Sequence, residues 1–274
     1  MYGSGNNQAE RKPVGLTTLA RMKAEGQAIA CLTAYDASFA EVEDAAGVDL
    51  VLVGDSLGMV IQGRESTVPV TMDDMVYHTR CVARGLKHPL LVADLPFLSY
   101  SDPQTALTNA GRLMRAGAAM VKLESAAGQR EVIAALAGQG VPVCAHLGLR
   151  PQSVHKTGGF RVQGRNEDTA RRMREDAEAL EAAGADLLLL ECVPSGLAEE
   201  ITRSVSVPVI GIGAGPGVDG QILVAYDMLG LPPGPKPRFV RDFMAETGNI
   251  PEAVAAYVAA VRDGSYPAPE HAFD

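Results

Sequence analysis

Six ionisable residues stand at the ends of short apolar runs, and their types suit one kind of chemistry. Asp55 follows the run 49–53, Asp94 follows 89–93, Glu124 follows 119–123, His146 follows 141–145 and Glu191 follows 186–190. Lys122 lies within the fourth of these stretches, two residues before Glu124. Carboxylates that converge without a cluster of His and Cys suit a hard divalent cation, Mg2+ most readily. That ion takes oxygen ligands and keeps waters for a substrate to displace. Asp55 and Asp94 are the expected direct ligands, with Glu124 binding directly or through a water. A 2-oxo acid would chelate the ion through its carboxylate and keto oxygens, and the ion would stabilise an enolate formed beside the carbonyl. Glu191 is then the spare carboxylate. Among apolar neighbours its pKa rises, which suits a general base for a carbon acid.

Each of these residues also has a plainer use. An acid just after a strand often caps a helix or a turn, and Asp55 before Ser56 or Asp94 before Leu95-Pro96 would serve in that way. A histidine after an apolar strand, as His146 is, is more often a hydrogen-bonded core residue. Lys122 is harder to explain as filler, because a lysine inside Met120-Val121-Lys122-Leu123-Glu124 needs a carboxylate partner or a ligand. The weight lies in the joint placement of all six.

That placement depends on the elements around them. Runs 28–33, 49–53, 89–93, 119–123, 141–145, 186–190, 207–212 and 222–225 are nearly all apolar, as strands buried on both faces are. Between them lie amphipathic, alanine-rich segments with helix signals. Thr71-Met72-Asp73-Asp74 predicts a capping box opening a helix over 75–86, and Ser101-Asp102-Pro103 supplies a cap and a first-turn proline. Glycines in Ala46-Gly47-Val48, Ala116-Gly117-Ala118 and Ala183-Gly184-Ala185 supply helix stops. Strand and helix alternating eight times imply an α/β fold with one closed (β/α)8 TIM-type barrel, in preference to an open doubly wound sheet. In a barrel the strands' C-terminal ends meet on one face, where active sites are built. Few residues separate the last two runs, so the helix between them must be very short. The expected organisation is a flexible segment over 1–15 and a single barrel domain over 16–274. After a proline-rich linker at 232–237, C-terminal helices over 238–246 and 251–263 would cover the barrel or pack on a neighbouring subunit.

Composition sets the frame. With 274 residues and 47% hydrophobic content, the chain can bury one large core, which excludes disorder. Asp and Glu number 33 against 24 Lys and Arg, a formal net charge of -9, which argues against nucleic acid as a partner. Cys31, Cys81, Cys144 and Cys192 are scattered, as reduced thiols are, without zinc-ligand spacing. The polar residues 1–15 lack an apolar signal core, and no run approaches the roughly 18 residues of a membrane span. A cytoplasmic protein with no membrane partner is expected.

Two glycine-rich stretches remain. Gly215-Pro216-Gly217-Val218-Asp219-Gly220 fits a dinucleotide-loop pattern, but it lies too near the end of the chain for that fold. It is expected to be a loop on the barrel face that lets backbone approach a ligand. The basic segment 155–165 reads either as a solvated loop or as a mobile lid that brings Arg161 and Arg165 to an anionic co-substrate.

Several of these stretches, in order, resemble one family. They are Leu32-Thr33-Ala34-Tyr35-Asp36, Val53-Gly54-Asp55-Ser56-Leu57-Gly58, Pro69-Val70-Thr71-Met72, Asp94-Leu95-Pro96-Phe97 and Val121-Lys122-Leu123-Glu124. Ala145-His146-Leu147-Gly148-Leu149 with Pro151-Gln152-Ser153, the run Gly158 to Arg165, and Gly211-Ile212-Gly213-Ala214-Gly215 complete the set. The chain resembles the 3-methyl-2-oxobutanoate (ketopantoate) hydroxymethyltransferases, which are similar to the phosphoenolpyruvate/pyruvate barrel enzymes. The resemblance implies transfer of a one-carbon unit from 5,10-methylenetetrahydrofolate to 3-methyl-2-oxobutanoate, giving 2-dehydropantoate for pantothenate and coenzyme A synthesis. It implies an Mg2+ site at Asp55, Asp94 and Glu124, and contacts to the oxo acid from Asp55, Ser56, Asp94 and Lys122. It also implies Glu191 as the proton acceptor, His146 near the substrate, and a homodecamer. Ser125-Ala126 departs from the glycine that the family usually carries there. A related lyase or mutase on another 2-oxo acid, or a catalytically silent barrel, are the competing readings.

Overall fold

Eight parallel strands pair in chain order, and the last closes back on the first. They are β1 Ile29–Thr33, β2 Leu50–Val53, β3 Leu90–Asp94, β4 Met120–Glu124, β5 Val143–Gly148, β6 Leu187–Glu191, β7 Val209–Ile212 and β8 Gly220–Leu223. The computed structural model describes residues 11–125, 127–159, 161–232 and 236–274. The (β/α)8 barrel expected from the alternation is therefore the fold. Its strands are buried throughout except at the very ends of β5 and β6. That is why they read as continuous apolar runs.

Register decides which residues share the barrel interior, because partners on parallel strands point the same way. Asp94 pairs with Lys122, Glu124 with His146, and Gly148 with Glu191. Below them Leu50, Leu52, Val92, Cys144, Leu187, Leu189, Ile210 and Ile222 fill the tube with the Lys122 stem, leaving about 10 Å³ empty. The barrel is thus a packed core, and chemistry is confined to its C-terminal mouth.

Helix signals work where the sequence carries them. Asp36 accepts from the Phe39 N–H at 3.0 Å and Asp102 from the Thr105 N–H at 2.9 Å. Gly47 and Gly117 end helices Ala37–Ala46 and Pro103–Ala116 in the left-handed conformation. The box at Thr71 and Asp74 forms, but its residues are the first turn itself, so the helix runs Met72–Gly85 and not 75–86.

Two other expectations need correction. The eighth strand is Gly220–Leu223, two residues earlier than the run 222–225, because its first half is polar and glycine-bearing. Glycine is required at 220, where a Cβ would lie 2.4 Å from the Ile29 carbonyl oxygen. In the stretch 215–220 two glycines have a packing role that the sequence did not suggest. A side chain at Gly215 or Gly217 would strike Ser195 or Glu199, so these glycines let helix Ser195–Ser204 pack closely. The helix expected over 238–246 is only Phe243–Thr247, because the Asp242 carboxylate accepts from the Ala245 N–H at 3.0 Å and caps it there.

The last long helix, Ile250–Asp263, covers its own barrel, packing on β1 and on helix Ala37–Ala46. Its Tyr257 hydroxyl reaches the Cys31 and Gln221 carbonyl oxygens at 2.8 and 2.9 Å, which pins it across the β1–β8 seam. At the other terminus the described residues of the expected flexible segment are tied down. Arg11 donates to the Val48 carbonyl at 2.5 Å and pairs with Asp49, and the Val14 N–H donates to His88. Residues 1–10, Ala126, Phe160 and the linker residues 233–235 lie outside the described residues. No described helix is long and apolar enough to cross a membrane.

Candidate active site

Strand ends deliver every expected residue to the C-terminal mouth. Asp94, Glu124 and Glu191 are the last residues of β3, β4 and β6, and Asp55 and Ser56 follow β2 by two and three residues. His146 lies inside β5, facing inward, and not beyond its end. Asp55, Asp94, Lys122, Glu124 and His146 are all buried. One glycine permits this closure: at Gly148, φ 91°, a Cβ would come within 2.2 Å of the Glu191 carbonyl oxygen. Just past Glu191, Cys192 adopts a left-handed φ of 49°, a strained conformation for a residue with a side chain. Its carbonyl accepts from the Gln163 N–H at 2.9 Å, which links the basic segment to the strand carrying Glu191.

The charges are organised around Lys122. Its ammonium donates to Asp94 Oδ1 at 2.5 Å, and Asp94 Oδ2 accepts from the Asp55 backbone N–H at 3.0 Å. Burial opposes the lysine's charge, but Asp94 and then Asp55 outweigh it and raise its pKa. The buried lysine thus has the carboxylate partner that its sequence position demanded. Ser56 hydrogen-bonds through its hydroxyl to the Tyr35 hydroxyl at 2.9 Å.

The acids are not comfortable as anions. Burial, and then the charge of Asp94, pushes Asp55 up to about 7. Burial pushes Glu124 up to about 8 against a hydrogen bond from the Gln152 backbone. Burial pushes Glu191 up to about 7, partly offset by Lys122. Burial, and then Lys122, holds His146 well below the usual histidine range, so it is neutral. His146 Nε2 comes within 3.3 Å of Glu191 Oε2, but not in hydrogen-bond alignment, and neither ring nitrogen has a hydrogen-bond partner among the described residues.

These donors fit a small hard cation. Glu124 Oε2 is buried with no partner among the described residues, and such an oxygen wants a proton or a positive ion. The burial that raises Asp55 and Glu124 is a penalty that a divalent charge relieves. Among the described residues no three Asp, Glu, His or Cys side chains already enclose an ion position. Mg2+ does not require such a cage, since one or two carboxylates with waters and substrate oxygens complete its shell.

Sequence reasoning missed two polar residues here. Gln152, buried in the turn Pro151–Ser153, donates from Nε2 to Asp55 Oδ2 at 2.8 Å and from its backbone to Glu124 Oε1 at 2.8 Å. Tyr100 donates to Gln152 Oε1 at 2.5 Å. Pro151-Gln152-Ser153 stood among the motifs of the resemblance, which was the one available signal for Gln152. Nothing in the sequence marked Tyr100.

The profile of a family described as ketopantoate hydroxymethyltransferase matches residues 13–269. A 3-methyl-2-oxobutanoate hydroxymethyltransferase of Marinobacter nauticus is 60% identical over 260 residues, covering 95% of this chain and 98% of the relative. One from Alkalilimnicola ehrlichii is 57% identical over 274 residues, covering 100% of this chain and 99% of the relative. Among solved structures, phosphonopyruvate hydrolase in complex with oxalate and Mg2+ is similar at a TM-score of 0.59 and 15% identity, over 93% of this chain and 92% of that one. A 2,3-dimethylmalate lyase of the PEP mutase/isocitrate lyase superfamily is similar at 0.56 and 19% identity, over 93% and 92%. At those identities the structural likeness is one of fold.

Proposed function

The chain belongs to the ketopantoate hydroxymethyltransferase family, and on that premise we propose how its barrel mouth transfers a hydroxymethyl group to 3-methyl-2-oxobutanoate in pantothenate biosynthesis. Asp55 and Asp94 hold a divalent ion, Mg2+ by the chemistry of the donors, with Glu124 binding directly or through a water. When bound, the ion supplies Lewis acidity at the keto group of the oxo acid. Lys122, kept charged by Asp94, holds the anionic substrate, and the Ser56 hydroxyl, oriented by Tyr35, contacts it. His146, neutral, lines the pocket beside Glu191.

Glu191 takes the C3 proton. Water breaks both C–N bonds of the methylene bridge in 5,10-methylenetetrahydrofolate, giving tetrahydrofolate and formaldehyde, and the enolate carbon attacks the formaldehyde carbon, whose oxygen takes up a proton and becomes the hydroxyl of 2-dehydropantoate. The observation that carries this reading is the setting of Glu191: at the end of β6, partly shielded with its side chain 16% exposed, 3.3 Å from the neutral His146 ring, and pushed up to about 7. A carboxylate poised there is matched to proton abstraction near neutral pH. A lyase or mutase acting on another 2-oxo acid draws only on neighbours that share the fold.

The test uses 3-methyl-2-oxobutanoate, methylenetetrahydrofolate and Mg2+. Wild-type protein should form 2-dehydropantoate only when both organic substrates are present. Glu191→Gln should keep Mg2+ and oxo-acid binding but lose turnover by about 10²–10⁴-fold, the worth of a general base. Near-wild-type rates in this variant would remove Glu191 from its role. Arg161 and Arg165, exposed on the segment that Gln163 ties to Cys192, act as a lid over the anionic folate. Changing both to alanine should raise KM for the folate with little change for the oxo acid, and unchanged kinetics would reject the lid. The protein works in the cytoplasm as a homodecamer, whose mass in solution should be ten times that of the chain.

A further inference from the structure

Gln152 has every hydrogen-bonding group of its amide engaged. Nε2 donates to Asp55 Oδ2 at 2.8 Å and to the Leu95 carbonyl at 3.0 Å, and Oε1 accepts from the Tyr100 hydroxyl at 2.5 Å. Its backbone N–H donates to Glu124 Oε1 at 2.8 Å. An amide has two donors and one acceptor oxygen, so this arrangement fixes which way round it lies. Turned over, its oxygen would face a carboxylate oxygen and a carbonyl oxygen, and its NH2 would face a hydroxyl that has lost its acceptor. Tyr100 is buried, and that burial keeps the phenol protonated and hence a donor. One residue in the turn after β5 therefore grips groups that follow β2 and β3 and the carboxylate that ends β4.

We propose that Gln152 is a positioning residue that holds the Asp55 and Glu124 carboxylates in the orientation the divalent ion requires, and that Tyr100 acts through it by locking the amide. The inference rests on the ion site of the proposed function and assigns it a second layer of residues. Partners that orient ligands typically change metal affinity by about 10–100-fold when removed. Gln152→Met keeps the side chain's volume while removing both donors. Tyr100→Phe removes only the lock, leaving the amide held by the Asp55 and Leu95 contacts alone, with Oε1 without its donor.

The experiment is a calorimetric titration of metal-free, full-length protein with Mg2+ in the presence of 3-methyl-2-oxobutanoate. It is run on the wild type, both single variants and the double variant, with melting temperatures taken without metal. Gln152→Met should weaken Mg2+ at least tenfold and Tyr100→Phe severalfold. The double variant should bind like Gln152→Met alone, because a lock has no effect once the amide is gone. A merely structural role would lower the melting temperature without this non-additivity. Wild-type-like Mg2+ affinity in Gln152→Met, or effects that multiply in the double variant, would overturn the inference alone. If Gln152→Met does not fold, Tyr100→Phe decides, with wild-type affinity as the contrary result. A wild-type protein that fails to bind Mg2+ would overturn the ion site itself, and this inference with it.

Discussion

Glu191, Asp55 and Glu124 share one predicament: each is an acid at least partly withdrawn from water whose charged form is disfavoured, and each feels the ammonium of Lys122. Lys122 is already paired with Asp94, so it cannot neutralise the rest. Without an ion the pocket therefore retains protons that Mg2+ binding expels. At saturating Mg2+ the remaining titration is that of the base. Glu191 must be deprotonated to act, so kcat/KM should climb about tenfold per pH unit on the acid side and level off near or below pH 7, since an added cation can only lower its pKa. In Glu191→Gln this acid limb should vanish; a limb that survives belongs to another group. The six ionisable residues were legible because they recur together at consecutive apolar runs, whose ends a barrel gathers on one face. Gln152 and Tyr100 were not, because a neutral polar residue in a turn and a tyrosine in a loop leave no periodic signature.

At the level of elements, helix Ala37–Ala46 hides an unexpected group. Glu43 is fully buried on this helix, which packs against helices Met72–Gly85 and Ile250–Asp263. Neither carboxyl oxygen has a partner among the described residues. Burial, and then the charge of Asp36, raises its pKa well above the usual 4.5. The folded protein thus holds a proton that the unfolded chain releases above about 4.5, so stability falls as pH rises from there toward the folded-state value. Glu43→Met cannot lose a proton. It should melt about 2–4 °C above the wild type near neutral pH, as a gain of about 1 kcal/mol would give. The advantage should shrink toward pH 5. Melting curves at the two pH values check this; an equal gain at both would mean that ionisation is not the cause. Glutamate on a helix reads in sequence as a solvated position, so this burial was not legible. β8 was half hidden for the opposite reason, since Gly220 and Gln221 are too polar to extend an apolar run yet are held in the sheet by pairing with β1.

For the molecule as a whole, closure of the barrel brings residues separated by 136 positions, Asp55 to Glu191, to one mouth. The fold was legible because eight buried parallel strands are an unusually repetitive message. What sits in the loops between them was legible only where a motif stood. In the proposed function this mouth enolises 3-methyl-2-oxobutanoate and passes the carbon nucleophile to a folate-derived one-carbon unit. The most direct measurement follows the C3 proton of that oxo acid by NMR in D₂O, with enzyme and Mg2+, with and without chelator, and then with methylenetetrahydrofolate. C3–H should exchange for deuterium only with the metal present, and the hydroxymethyl product should follow once methylenetetrahydrofolate is added. Folded, Mg2+-loaded protein that neither exchanges the proton nor forms product would contradict the proposed function, and exchange without product would detach the site from folate.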